Sequence, residues 1–203
     1  MARRILFITG TDTDVGKTVF ATLFTRALRD RSVRVAALKP ICSGGRDDAR
    51  RLREAMGKSL SLEEVNPWYF RAALAPLLAA RLGRQRLTQA QVVEHVRTVA
   101  KKSELVVVEG AGGLLSPLGE GFDSRDLIMG LRATPVVVCP NRLGAVNQAL
   151  LVLNALPRAL AKHATVMLVS PRKPDAASST NPKLLAELIG GHRVRVLPWL
   201  PKS

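Results

Sequence analysis

The segment Gly10-Thr11-Asp12-Thr13-Asp14-Val15-Gly16-Lys17-Thr18 constrains this chain more than any other. It follows an apolar run, Arg4–Thr9 (RILFIT), and leads into an amphipathic stretch, Lys17–Asp30. Strand, loop Gly10–Gly16 and helix in that order aim backbone N–H groups and a helix N-terminus at one point, where phosphate oxygens are held. Lys17 is placed to reach the β- and γ-phosphates of a nucleotide, and Thr18 to offer its hydroxyl to Mg²⁺. The loop departs once from the pattern G-x-x-x-x-G-K-[ST]. Thr11 stands where the first glycine belongs, and Gly10 sits one residue early.

Apolar runs and helix-like stretches alternate along the rest of the chain. Val33–Leu38, Leu105–Val108, Pro135–Cys139, Val166–Ser170 and Arg193–Leu197 read as strands. Asp47–Met56, Thr88–Lys102, Ala145–Ala161 and Asn181–Ile189 read as helices, and Lys173 to Thr180 as a loop. Continuous Val/Ile/Leu strands separated by helices predict an α/β fold of the P-loop NTPase type, with a mostly parallel central sheet covered by helices on both faces. One domain over residues 1–203 is expected from the length.

Several function classes lose ground on composition. No apolar run reaches the ~18 residues of a membrane span, and Met1-Ala2-Arg3-Arg4-Ile5 enters a strand with no secretory segment ahead of it. Cys42 and Cys139 are too few for a disulfide framework or a cysteine-based metal site, so reduced thiols and a cytoplasmic location are expected. The formal charge of +15 raises nucleic-acid binding. Its arginines are spread through helical stretches without a recognition helix or aromatic platform, so no nucleic-acid or membrane partner is expected.

Chemistry gathers at the carboxyl edge of the expected sheet, where open α/β folds bind ligands. Glu109 ends the strand Leu105–Val108, and Lys39 leaves the strand Val33–Leu38. A hard Mg²⁺ ion prefers a few carboxylates together with hydroxyl and phosphate oxygens. Thr18, Asp48 and Glu109 can supply that set, with Asp47 competing with Asp48 for the metal-facing place. Lys17 and Lys39 converging on one anion would offset charge that develops during phosphoryl transfer. If the lysine pair acts in this way, as the family resemblance set out below implies, alanine at Lys39 is expected to cut turnover by orders of magnitude and leave folding intact. Ser43 beside Gly44-Gly45 is a candidate hydrogen-bond partner for substrate, and Gly112 lies in a turn that backbone and ligand can share closely.

Together these segments resemble the ATP-dependent dethiobiotin synthetases. The resemblance rests on the phosphate loop with its shifted glycine, Lys39-Pro40-Ile41-Cys42-Ser43-Gly44, the helix headed by Asp48, and Val65-Asn66-Pro67-Trp68-Tyr69-Phe70. Glu109-Gly110-Ala111-Gly112-Gly113 followed by Ser116-Pro117-Leu118, then Leu143-Gly144, Asn147 and Pro198-Trp199-Leu200, extend it from residue 4 to 200. It implies a cyclo-ligase of biotin biosynthesis that joins 7,8-diaminopelargonate and CO₂ into a ureido ring, with ATP as co-substrate and Mg²⁺ as cofactor. It further implies catalytic Lys17 and Lys39, and nucleotide contacts from Thr13, Asp14, Val15, Gly16, Lys17, Thr18, Val19, Asp48, Glu109, Pro198, Trp199 and Leu200. Metal contacts fall to Thr18, Asp48 and Glu109, and substrate contacts to Ser43, Pro76, Gly112, Leu143, Gly144 and Asn147. The family is homodimeric, with the last three of those substrate residues supplied by the partner chain.

Two departures bear on the nucleotide. Where the family carries a base-reading Asn-Asp pair, Ser170-Pro171 stands here, and the chain ends three residues after Leu200, where the family continues. A weaker preference for adenine is therefore expected. The competing reading is a partitioning-type switch ATPase that binds DNA or membrane. Those proteins carry an extra lysine at the place of Asp12, which counts against it.

Overall fold

The alternating runs form one six-stranded sheet, seen in a computed structural model that describes residues 4–200. Its strands are β1 (Arg4–Gly10), β2 (Val35–Leu38), β5 (Leu105–Glu109), β8 (Thr134–Pro140), β9 (Thr165–Val169) and β10 (Val194–Leu197). They lie in the order β10-β9-β8-β1-β5-β2, and every neighbouring pair is parallel. Two small pairs stand apart: β3 (Ile41–Ser43) beside β4 (Trp68–Phe70), and the hairpin β6 (Pro117–Gly119) with β7 (Phe122–Asp123). The connecting helices are α1 (Lys17–Arg29), α2 (Asp47–Ala55), α3 (Leu62–Val65), α4 (Pro76–Leu82), α5 (Gln89–Ala100), α6 (Ser124–Leu131), α7 (Ala145–Ala155), α8 (Arg158–Ala161) and α9 (Ala176–Ile189).

Phe7, Ile8, Val106, Val107, Val137 and Val138 are fully or nearly fully buried, because helices cover the central strands on both faces. Side chains of this size each contribute about 1.5–3 kcal/mol when buried. From β1 the chain runs first toward β2 and β5, then to the other side toward β8, β9 and β10. That reversal opens a crevice at the carboxyl end of β1, where the phosphate loop lies.

Two expected boundaries are overturned. The helix expected over Ala145–Ala161 stops at Ala155, and a separate turn, α8, begins at Arg158. Pro157 has no N–H to donate and forces Leu156 out of the helical region, to φ −79° and ψ 147°. The loop expected over Lys173 to Thr180 becomes helix from Ala176 onward. Its start is set by a capping box: the Asp175 carboxylate accepts from the Ser178 N–H at 2.7 Å, and Ser178 Oγ accepts from the Asp175 N–H at 2.7 Å. Pro182 lies inside that helix rather than at its first turn. The readings made on the two chain ends concern residues 1–3 and 201–203, outside the described residues.

Candidate active site

The loop after β1 has the backbone that its glycines require. Gly16 sits at φ +99°, and a Cβ there would lie 3.2 Å from Val169 Cγ2. Its neighbour Asp14 is also left-handed, at φ 55°. The early Gly10 has a packing cause: Val15 is buried beneath the loop, and a Cβ on Gly10 would come within 2.6 Å of Val15 Cγ2. The Thr13 N–H donates to the Asp12 carboxylate at 2.7 Å, and Lys17 Nζ to the Asp12 carbonyl at 2.6 Å. Lys17 is thus folded back against its own loop. Burial, and next the charge of Lys39, lower its pKa to about 8.

Glu109 stands at the centre of the polar groups. Leu38 lies opposite Val108 in the sheet register, so Lys39 and Glu109 leave adjacent strands at the same level. Lys39 Nζ donates to Glu109 Oε1 at 2.6 Å and to the Gly110 carbonyl at 2.9 Å, and Thr18 Oγ1 donates to the same Oε1 at 2.8 Å. Glu109 Oε2 is buried without a hydrogen-bond partner. Burial alone would lower the Lys39 pKa, but the Glu109 and Asp48 carboxylates outweigh it and hold the ammonium above its ordinary value.

Helix α2 turns its two leading acids in opposite directions. Asp48 turns inward, 3.6 Å from Lys39 Nζ, whereas Asp47 turns outward to Arg50 at 2.7 Å. A clamp fixes this helix to the end of β2. Arg46, just before α2, donates to Asn66 Oδ1 at 3.0 Å and to the Asn66 carbonyl at 2.9 Å, and its guanidinium lies over the Tyr69 ring. The buried Asn66 amide in turn donates to the carbonyls of Lys39, at 2.8 Å, and Pro40, at 3.2 Å. Sequence reading singled out Asn66 only as part of a motif and gave Arg46 no role.

A cavity of about 640 Å³ collects most of the expected residues. Thr13, Asp14, Gly16, Lys17, Thr18 and Val19 line it from the loop side. Lys39, Ser43, Asp48, Pro76, Glu109 and Gly112 line it from the other elements. Ile41, Cys42, Leu74 and Ala75 add apolar wall, and Arg51 and Ser116 add polar groups that sequence reading did not place there. Burial pushes the Cys42 thiol up to about 11, so it stays protonated and behaves as wall. Both cysteines are free and buried. Leu143, Gly144, Asn147, Pro198, Trp199 and Leu200 do not line this cavity. Leu143 and Asn147 are exposed around the start of α7, with Gly144 at its N-cap, and Pro198 to Leu200 follow β10.

The donor set fits a hard divalent ion. Among the described residues no group of three or more His, Cys, Asp or Glu could hold a metal unaided. Glu109 with its free Oε2, Asp48 and the Thr18 hydroxyl instead offer a partial oxygen shell beside a phosphate cradle. Mg²⁺ takes such a shell, completed by substrate phosphates and water.

A family model described as an AAA domain matches residues 4–203. The ATP-dependent dethiobiotin synthetase BioD of Anaeromyxobacter sp. (strain K) is 40% identical, over 98% of this chain and 91% of that protein. The protein of the same name from Bacillus subtilis (strain 168) is 34% identical, over 97% and 88%. Among solved structures, a ParA family ATPase from Chlorobium tepidum TLS superposes with a TM-score of 0.59 at 12% identity, covering 100% of this chain and 86% of that one. Signal recognition particle 54 kDa protein from Aeropyrum pernix K1, in complex with GDP, gives 0.58 at 16% identity, over 98% and 42%. At such identities the two structures show a shared fold and nothing of function. Among the described residues, no helix is long and apolar enough to cross a membrane.

Proposed function

The chain belongs to the dethiobiotin synthetase family, and from that premise we propose that it closes the ureido ring of dethiobiotin from 7,8-diaminopelargonate and CO₂, converting ATP to ADP and phosphate. The observation that carries the reading is the convergence of Lys17, Thr18, Lys39, Asp48 and Glu109 on one cavity that Ile41, Cys42, Leu74, Ala75 and Pro76 also line. The polar end suits a triphosphate, and the Ile41, Leu74 and Pro76 side suits an aliphatic diamine.

In the proposed sequence one amine of the substrate adds to CO₂ and loses a proton, giving a carbamate. A carbamate oxygen then attacks the γ-phosphorus in line with the departing ADP. The second amine closes on the mixed anhydride, the C–O bond to phosphate breaks, and the cyclic urea remains. Lys17 and Lys39 hold the phosphoryl oxygens as charge spreads over them. Ser43 and the Gly112 turn orient the carbamate, and fixing both reactants in one cavity supplies most of the remaining effect. Thr18, Asp48 and Glu109 would hold Mg²⁺, which offsets phosphate charge when bound.

A homodimer in the cytoplasm, with Leu143, Gly144 and Asn147 serving the partner's substrate, belongs to the same proposal and rests on the family resemblance. The test is phosphate release from ATP with and without diaminopelargonate and bicarbonate. Stimulated release together with dethiobiotin formation is expected. Stimulation by DNA with no dethiobiotin would overturn the reading in favour of a switch ATPase.

A further inference from the structure

Along the chain the cations are scattered, but the parallel sheet gathers a set of them. Every neighbouring pair of strands is parallel, so all six begin at one edge, opposite the phosphate loop. Each strand carries a cation at its start or within three residues before it. These are Arg4 for β1, Arg34 for β2, Lys102 for β5, Arg132 for β8, Lys162 for β9 and Arg193 for β10. The short segments leading from helix into strand hold two carboxylates, Asp30 and Glu104, already paired with Arg29 and Arg34. Arg4, Lys101, Lys102, Arg132 and Lys162 are exposed, and none has a carboxylate partner among the described residues. Five steps of ~4.8 Å spread this basic edge over about 24 Å, and the length of β1 sets it about 20 Å from the phosphate loop.

Cations beyond helix C-termini also offset the helix dipole, by about 0.3–1 kcal/mol each. That gives Lys101, Lys102 and Arg132 a stabilising role, but not Arg4 at the start of the first strand, and it does not explain the shortage of acids among them. What the edge lacks narrows its partner. None of the exposed large hydrophobic side chains belongs to these entry segments, so they bring nothing to bury in a bilayer. No aromatic residue stands in them either; the exposed Trp199, with Arg172 over its ring at 5.4 Å, follows β10 at the opposite edge. Unpaired bases need such stacking surfaces, whereas a duplex turns its phosphates outward.

We propose that this edge binds the phosphate backbone of duplex nucleic acid without reading its sequence. A duplex offers one negative charge per ~1.7 Å of axis, so about 24 Å of it can meet every cation of the row. The proposal reverses the expectation of no nucleic-acid partner, which rested on the scatter of the cations in sequence. It stands apart from the ligase reading, because the basic edge and the cavity share no residue.

The test titrates a fluorescein-labelled DNA duplex of about 16 base pairs with the full chain, following anisotropy between about 50 and 200 mM KCl. The logarithm of the binding constant should fall against that of salt with a slope of about −4 to −5, a step of ~0.9 for each neutralised phosphate. A duplex of unrelated sequence should bind within about threefold. Lys101→Gln/Lys102→Gln/Lys162→Gln should weaken binding by at least about tenfold, make the slope shallower by about 2.7, and leave dethiobiotin formation in place. Arg142→Gln/Lys173→Gln/Lys183→Gln removes the same charge from exposed positions outside the entry segments and should change affinity by less than about threefold. If the first variant fails to fold by circular dichroism, Lys162→Gln decides, with an expected loss of about 0.9 from the slope. Equal losses in the two triple variants, a slope near zero, or tighter binding to phosphatidylserine vesicles than to the duplex would each overturn the proposal.

Discussion

Lys39 and Glu109 leave neighbouring strands side by side and form an ion pair of 2.6 Å, with side chains 7% and 0% exposed. A pair this deep is part of the fold as well as of the site. Alanine at Lys39 strands a buried carboxylate, and removing one partner of a buried pair costs about 3–5 kcal/mol. The expectation that Lys39→Ala leaves folding intact is therefore revised. Urea unfolding should show a loss of that order alongside the loss of turnover. The double variant Lys39→Met/Glu109→Leu should recover much of the stability and none of the activity.

Lys17 makes nucleotide binding sensitive to pH. Its folded pKa, about 8, lies below the ordinary lysine value of 10.5. Between those two values the unfolded chain binds more protons than the folded one, so this group's contribution to stability rises with pH across that window. A bound triphosphate favours the ammonium and draws a proton in. Affinity should hold steady below about pH 8 and weaken by up to tenfold per unit above it. Calorimetry in two buffers of different ionisation enthalpy should register the proton uptake; its absence at pH 9 would show that Lys17 is not the phosphate-binding cation.

Asp48 and Asp47 are adjacent in sequence and unequal in place. Asp48→Asn should raise the Mg²⁺ concentration needed for half-maximal activity by at least about tenfold, as expected on losing one oxygen ligand of a hard cation. Asp47→Asn removes only an exposed pair with Arg50, worth about 0.3–0.5 kcal/mol, and should leave the Mg²⁺ dependence unchanged. Activity against Mg²⁺ concentration for the two variants decides the assignment.

Asn66 ties the Arg46 side chain to the Lys39 and Pro40 carbonyls. Asn66→Ala leaves buried partners unsatisfied and should cost about 1–3 kcal/mol. Because Lys39 and Asp48 sit on the two elements so joined, kcat should fall further than nucleotide affinity. Arg46→Lys should reproduce that split, since Arg46 reaches the Asn66 side chain and carbonyl from two separate nitrogens in a fixed planar fork that a single ammonium nitrogen lacks. Equal effects on kcat and affinity in both variants would reduce the clamp to a stabilising role.

Much of this site was legible before any coordinates because the phosphate loop is a local structure. Gly16, Lys17 and Thr18 are consecutive, and the strand before them and the helix after them set their directions. Glu109 was legible for the same reason, as the acid that ends an apolar run. The choice between Asp47 and Asp48 was not, because both lie in the first turn of α2 and only the packing of that helix decides which faces inward. The short strands β3 and β4 were hidden by their length, three residues each, too few for a period to show. The start of α9 was hidden by Pro182, which reads as a helix beginning although the Asp175 cap lies seven residues earlier.

The six strands of the central sheet and the phosphate loop between β1 and α1 were legible in the sequence alone, since each depends on neighbours in the chain. Which carboxylate meets Lys39, how deeply Lys39 and Glu109 are buried, and that Arg172 lies over Trp199 were decided by tertiary structure. Those relations join residues 9, 70 and 27 positions apart. Only sheet register and helix packing bring them together.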